Sequence, residues 1–422
     1  MIKVKYIAAF VMGAGLVACS TPSLDKRQNS TAEPLGIDDI HQQALVLDAH
    51  ADIEIAANPS RYAGDDGKSK VEPEKMAAGG VDAVVMAIAV GPMPRTSEGY
   101  ADAQKKAEQE LQEIENLAAQ SENIVIPKSP QALQDAHKNG QLSLILGFQN
   151  ALILGPQVEQ IDTYFARGVR VFAMTHMGHN DYADSSRPLF ISELGHHEPT
   201  AEHGGLSELG KAFVRRVNQL GGIVDISQLS KQAALQAIEL STAPVIASHS
   251  NVRSLTDVAR NLSDEELDAL AAKGGVIHVA PFRGYLFDSN DKELDANIRA
   301  ARREAGVTED YLYPFELYWE MDDPAVQQKF LTTVSDLLGP GNIDMMLDHV
   351  DYVVKRVGVD HVGIGTDFNH GSGVVGYNDA SEAKNVTQGM IDRGYSETEI
   401  EKIWGGNFLR VWQANHSTVA QD

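Results

Sequence analysis

Short apolar runs rich in Val, Ile and Leu recur along this chain, and most of them stop at a side chain able to bind a metal or a polar ligand. ALVLDAHAD ends in His50 and Asp52, LSLILGFQN in Gln149, VRVFAMTH in His176, GIVDISQ in Gln228, PVIASHS in His249 and HVGIGTD in Asp367. Runs of this length, bounded by Gly, Pro or polar residues, are what strands buried on both faces require. Eight of them follow from the sequence: Leu45–Asp52, Val81–Val90, Leu142–Gln149, Val169–His176, Gly222–Gln228, Pro244–His249, Gly275–Ala280 and His361–Asp367. Amphipathic helical stretches alternate with them, near 99–120, 206–221 and 263–275, the last opened by a Ser263/Glu266 capping box. Alternating strands and helices predict a parallel sheet with helices outside it, and eight repeats predict an α/β fold of the (β/α)8 TIM-barrel type. Polar groups at successive strand ends then fall on one rim, where such barrels build their active sites. The stretch from Phe282 to Val350, with Tyr311, Tyr313, Tyr318 and Trp319, reads as an insertion after the seventh strand, placed to cover that rim.

A formal net charge of -24 and a pI near 4.9 leave no basic stripe for a polyanion, so nucleic acid is excluded as a partner. No GxGxxG stands at a strand-to-helix junction, which removes the sequence ground for a dinucleotide site. Residues 1–18 have the build of a signal peptide: Lys3 and Lys5, then the apolar YIAAFVMGAGLVA, too short to span a membrane comfortably. Leu16-Val17-Ala18-Cys19 resembles a bacterial lipobox, with Cys19 the residue to be lipidated. Residues 19–36 form the lipidated N-terminus and a polar tether, and residues 37–422 are expected to form a single barrel domain. Ser20 after the lipidated cysteine is similar to an outer-membrane sorting signal. The expected location is the periplasm of a bacterium, with the lipid in the outer membrane. Cys19 is the sole cysteine, so the exported part has no disulfide and no thiol site.

His50-x-Asp52 places two ligand types on one side of an extended segment, since strand side chains alternate with period two. Zinc accepts both imidazole nitrogen and carboxylate oxygen. Asp48 shares their parity and competes with them, or supports them from deeper in the strand. Asp367 follows two glycines suited to a tightly packed strand end. His176 opens the polar stretch HMGHNDYADS, in which His179, Asn180 and Asp184 act either on substrate or as a loop network.

These stretches carry a resemblance. LDAHAD, LGFQN, MTHMGHNDYADS, GGLSELGKAFVRRVNQLGGIVDIS, APVIASHS, VARNLSDEEL, DHVGIGTDF and IWGGNFLRV, in this order from about residue 37 to 413, resemble the membrane (renal) dipeptidase family, metal-dependent barrels of the amidohydrolase superfamily. The resemblance implies that His50, Asp52 and Asp367 ligate one zinc ion and that His249 ligates a second. It implies that His176 and Arg260 bind substrate, Arg260 gripping the terminal carboxylate with its planar fork. Asp367 and His176 would be the catalytic groups. The resemblance implies a small peptide substrate as partner; the lipobox adds the membrane, reached through the lipid, and a homodimer is the alternative to a single chain.

The pattern is broken at two positions. The family's metal-bridging glutamate falls at Gln149, and a second-metal histidine falls at Gln228; a glutamine offers only a neutral carbonyl oxygen. One zinc is the expectation and two the alternative, and the QN pair resembles a bacterial branch of the same family. The implied activity is zinc-dependent hydrolysis of dipeptides by an activated water. The rival readings are a tailoring enzyme for a secreted peptide metabolite and a metal-free binding protein on the same barrel.

Overall fold

The computed structural model describes residues 36–191, 194–315, 321 and 323–419. The leader, Cys19 and the tether, and with them Tyr318 and Trp319 of the insertion, lie outside the described residues.

Eight parallel strands follow one another around a single sheet in chain order. They are β1 (Leu47–Asp52), β2 (Ala83–Ala89), β3 (Leu142–Gln149), β4 (Val169–Ala173), β5 (Ile223–Asp225), β6 (Ile246–Ala247), β7 (Val276–Val279) and β8 (Val362–Ile364). The short segment Ile124–Val125 pairs outside β3. The sheet closes on itself just past the end of β8. Ala51 bridges Phe368, Asp52 N donates to Phe368 O at 2.9 Å, and Asp367 N donates to His50 O at 2.8 Å. The chain is a (β/α)8 TIM barrel.

Two buried layers account for the apolar character of the strands. Leu47, Ala83, Ile223, Ile246 and Val276, each the first residue of its strand, pack with Phe408 and Trp412 of the last helix, Asn407–Val419. That cluster fills the barrel at the amino ends of the strands. The alternate residues, among them Val84, Leu144, Val224, Ile277 and Val362, pack against the outer helices. Each fully buried aliphatic side chain contributes about 1.5–3 kcal/mol, so the carboxyl rim can carry polar groups on a scaffold held together elsewhere. The expected helices are present as Ser97–Ala119, Glu208–Leu220 and Asp264–Ala272, with both halves of the Ser263/Glu266 capping box formed.

Between β7 and β8 the chain adds helices Lys292–Glu304 and Pro324–Leu338, with a separate apolar cluster that includes Phe282, Tyr285, Ile298, Tyr313, Phe330 and Val334. The insertion is shorter than the sequence suggests. Helix Ile343–Val357 buries Met346, Leu347, Val350 and Val353 in the main core, as the ordinary helix before β8.

Candidate active site

Several strands end earlier than their apolar runs. His176 lies three residues beyond β4, Gln228 three beyond β5, His249 two beyond β6 and Asp367 three beyond β8. Sequence alone extends these strands because the loop residues are still apolar and buried. In the structure the backbone has turned out of the ladder, and the turns are strained. The four described non-glycine residues with positive φ are Asn150 (81°), Gln228 (67°), Asp367 (58°) and Asn369 (64°), and all four lie on the rim. Such conformations cost on the order of 1–3 kcal/mol each and persist where the surroundings over-determine them. The glycines before Asp367 are needed for close approach: a Cβ on Gly365 would stand 1.8 Å from Ser248 O, and one on Gly363 2.5 Å from the His278 ring. They bring the end of β8 against the loop that carries His249.

The strict alternation along β1 also fails. The register with β2 shifts between Asp48 and Ala51. His50 and Asp52 stay together, with His50 Nε2 3.4 Å from Asp52 Oδ1. Asp48 is committed to the barrel seam: its Oδ1 accepts from Thr366 N (2.7 Å) and His50 N (3.1 Å), and its Oδ2 from Thr366 Oγ1 (2.6 Å). Burial pushes its carboxyl up to about 6, against the pull of those donors.

His50, His249 and Asp367 present ligand atoms that all lie within 4.8 Å of one another, and all three are buried. The His50 and His249 rings stack at 3.7 Å between centroids. His249, which the resemblance assigns to a second metal, lies in one cluster with His50 and Asp367. Burial, reinforced by His50 and Arg260, holds the His249 imidazole well below its ordinary pKa, so it is neutral. Its Nδ1 stands 2.8 Å from Ser248 Oγ, which in turn donates to Asp225 Oδ2. That relay fixes the proton on Nδ1 and turns the Nε2 lone pair toward the cluster.

The surroundings of His249 Nε2 decide how many cations this set suits. The amide nitrogens of Gln149 and Gln228 each approach it to 3.3 Å. Gln228 cannot turn its oxygen inward without losing Arg187, whose Nη2 donates to Gln228 Oε1 at 2.6 Å. Arg187 thus holds the Gln228 oxygen, and neither glutamine offers an anionic donor to offset a second dication. One cation is a different matter. His50 Nε2 and Asp52 Oδ1 are buried and face each other at 3.4 Å, with no other partner among the described residues. Imidazole nitrogen and carboxylate oxygen are a donor set that suits zinc. The residues fit one divalent ion and not two.

His370, unassigned from sequence, belongs to this site. Its Nδ1 stands 2.8 Å from Asp52 Oδ2 and its Nε2 3.4 Å from His176 Nε2. Burial alone would raise the Asp52 carboxyl, but His370 and His50 outweigh it and hold Asp52 well below the carboxylate range. His176 is pushed far down by burial, then by His370 and Arg187, so it is neutral, and its Nδ1 has no partner. Burial raises the Asp367 carboxyl, against the pull of His370 and His50. Arg260 is buried, its Nη2 donating to His249 O (2.7 Å) and its Nη1 to Ser250 Oγ (2.9 Å), with Nε unpartnered. The other polar residues after His176 form a loop network: His179 accepts from Ser185 N, Asn180 donates to Met174 O, and Asp184 accepts from Glu202, His203 and Gly205. A signal for His370 was present in GTDFNHG, three residues past Asp367. Arg187 carried none, because one arginine in a polar loop does not announce burial.

Comparison with known proteins bears on this rim. A family model described as membrane dipeptidase (peptidase family M19) matches residues 36–421. The dipeptidase aclJ of Aspergillus oryzae is 28% identical over 309 residues, 72% of this chain and 59% of that protein. The chain thus spans less than two thirds of that relative's length. The crystal structure of the probable dipeptidase PvdM from Pseudomonas aeruginosa is similar with a TM-score of 0.80 at 33% identity, covering 90% of this chain and 98% of that one. A metallopeptidase from Rhodobacter sphaeroides, liganded with a phosphinate mimic of L-Ala-D-Ala, shares the fold (TM-score 0.67, 19% identity, 88% and 99% covered).

Proposed function

The chain belongs to the membrane dipeptidase family, and from that premise we propose that it hydrolyses the peptide bond of dipeptides at a centre holding one zinc ion. The observation that carries this reading is the approach of His50, His249 and Asp367, all buried, to within 4.8 Å, with Asp52 Oδ1 3.4 Å from His50 Nε2. A metal-free binding protein gives no reason to gather two imidazoles and a carboxylate, all buried, at that distance.

The zinc would be held by His50, His249 and Asp367, with Asp52 beside them. When bound, it supplies Lewis acidity toward the scissile carbonyl and acidifies water at the centre. The chain's own groups supply the rest. Arg260, held rigid by the His249 carbonyl, binds the substrate's terminal carboxylate and so fixes where the peptide bond lies. Neutral His176 carries its proton on Nδ1 while Nε2 accepts from His370, and that N–H stabilises the oxyanion of the tetrahedral adduct. Asp367 takes the proton lost by the attacking water and returns it to the departing amine, a task suited to a carboxyl whose pKa is raised by burial. His370 and Asp52 hold one another and keep His176 in place.

A second reading, tailoring of an amide or amine in a secreted peptide metabolite, is favoured by Gln149 and Gln228, which depart from the family's two-metal set. Zinc content of protein purified without chelator, followed by a dipeptide panel with and without chelator, tests the first reading. Free amino acids released only in the metal-replete sample support it; turnover indifferent to chelator removes it. We further propose that Cys19 anchors the barrel by a lipid to the outer membrane of a bacterium, on the periplasmic side, a reading supported by residues 1–20 alone. Metabolic labelling with a fatty acid, lost in Cys19→Ser, tests it.

A further inference from the structure

Two guanidinium groups sit at the rim without a counter-ion. Arg187, in the loop after β4, is only 6% exposed, and Arg260 only 2%. Among the described residues neither forms an ion pair with a carboxylate, and Nε of each lacks a partner. The Arg187 guanidinium lies over Tyr313 at 5.4 Å from the ring centroid, and that of Arg260 over Tyr285 at 5.3 Å. The two rings are 5.4 Å apart, so the cations lie along adjacent parts of one aromatic wall. That wall and Arg187 border a cavity of about 220 Å³, together with Tyr62, Phe282 and His370.

A buried cation with no anion beside it carries a desolvation cost that proteins normally offset by pairing. Arg260 gains its anion from the substrate's terminal carboxylate, on the function proposed above. Arg187 gains none. Among the described residues its side chain makes one hydrogen bond, to Gln228, which uses one of five N–H donors and a neutral acceptor and leaves the charge unmatched on the side that faces the cavity. Bracing Gln228 would need only a neutral donor.

We propose that the substrate carries a second carboxylate, an aspartate- or glutamate-type side chain of a short peptide, that docks on Arg187 while its terminal carboxylate docks on Arg260. Arg187 is then a specificity residue. It selects acidic over neutral dipeptides of the same shape, and it does so by a charged hydrogen bond that a glutamine side chain cannot supply.

The test compares Ala-Glu with Ala-Gln and Glu-Ala with Gln-Ala. Hydrolysis is followed in the full zinc-containing protein, and equilibrium binding by calorimetry in Asp367→Asn, where turnover does not deplete the ligand. In one of the two pairs the acidic member is expected to bind about tenfold tighter or more. Arg187→Met should bring that ratio to about one, and Arg187→Lys, which keeps the charge but not the fork, should retain part of it. Equal binding within both pairs, or a preference that survives Arg187→Met, overturns the proposal. If the binding preference is found but no dipeptide is cleaved by the zinc-containing protein, the clamp stands and the hydrolytic reading above it falls.

Discussion

Asp48→Ala removes the acceptor that ties the first barrel strand to the last. In the native chain that carboxylate, 3% exposed, receives Thr366 N, His50 N and Thr366 Oγ1 at 2.7, 3.1 and 2.6 Å. Thr366 Oγ1 already lies 3.3 Å from His50 O and can turn to it. The two backbone N–H groups have no such alternative, and leaving each buried without an acceptor costs about 1–3 kcal/mol, or roughly 2–6 kcal/mol for the pair. Asp48→Asn behaves differently. Its Oδ1 keeps both N–H groups, its Nδ2 donates to Thr366 Oγ1, and the net loss is about 1 kcal/mol. The contrast also separates support from ligation. If Asp48 only holds the seam, Asp48→Asn keeps full zinc stoichiometry, whereas a ligand would lose it. Urea denaturation of the two variants at neutral pH, with zinc counted by mass spectrometry, gives both numbers. A cost below about 1 kcal/mol for Asp48→Ala, or zinc lost from a folded Asp48→Asn, would refute the reasoning.

Three further outcomes follow from the same geometry. Asp367→Asn should lower kcat by about 10²-fold or more in steady-state dipeptide assays, since the proton shuttle is lost. Arg260→Lys should raise KM about tenfold while changing kcat less, because the lysine cannot reproduce the fork held by His249 O. Glu110, buried in helix Ser97–Ala119 where it accepts Ala89 N, has its carboxyl pushed up to about 7 from 4.5, by burial first and despite Lys106. Its folded pKa is the higher one, so stability is fully present below about pH 4.5 and falls as pH rises through 7, by about 3 kcal/mol. Denaturation of wild type and Glu110→Gln at about pH 5 and pH 8 should show the slope in the first and a flatter line in the second.

The fold was legible because the strands are buried on both faces, and burial writes continuous apolar runs into a sequence. The same signal misplaced the strand ends: Ile226 and Met174 are as buried as the strands they follow, so apolarity could not mark where the ladder stops. His50, Asp52, His249 and Asp367 stood out because a metal-binding residue closes each run. Their grouping did not, since it depends on Gly365 letting two loops touch and on strained turns at Gln228 and Asp367. Asp48 was ambiguous because period-two alternation cannot foresee a register shift within β1. Arg187 was invisible because its burial comes from the insertion's Tyr313 and from Gln228, both distant in sequence.

Anomalous diffraction at the zinc edge, from crystals of protein never exposed to chelator, tests the central claim most directly. One peak per chain is expected, lying among His50, His249 and Asp367, with Arg187 still bonded to Gln228. A second peak between Gln149 and Gln228, or no peak at all after zinc incubation, would contradict it.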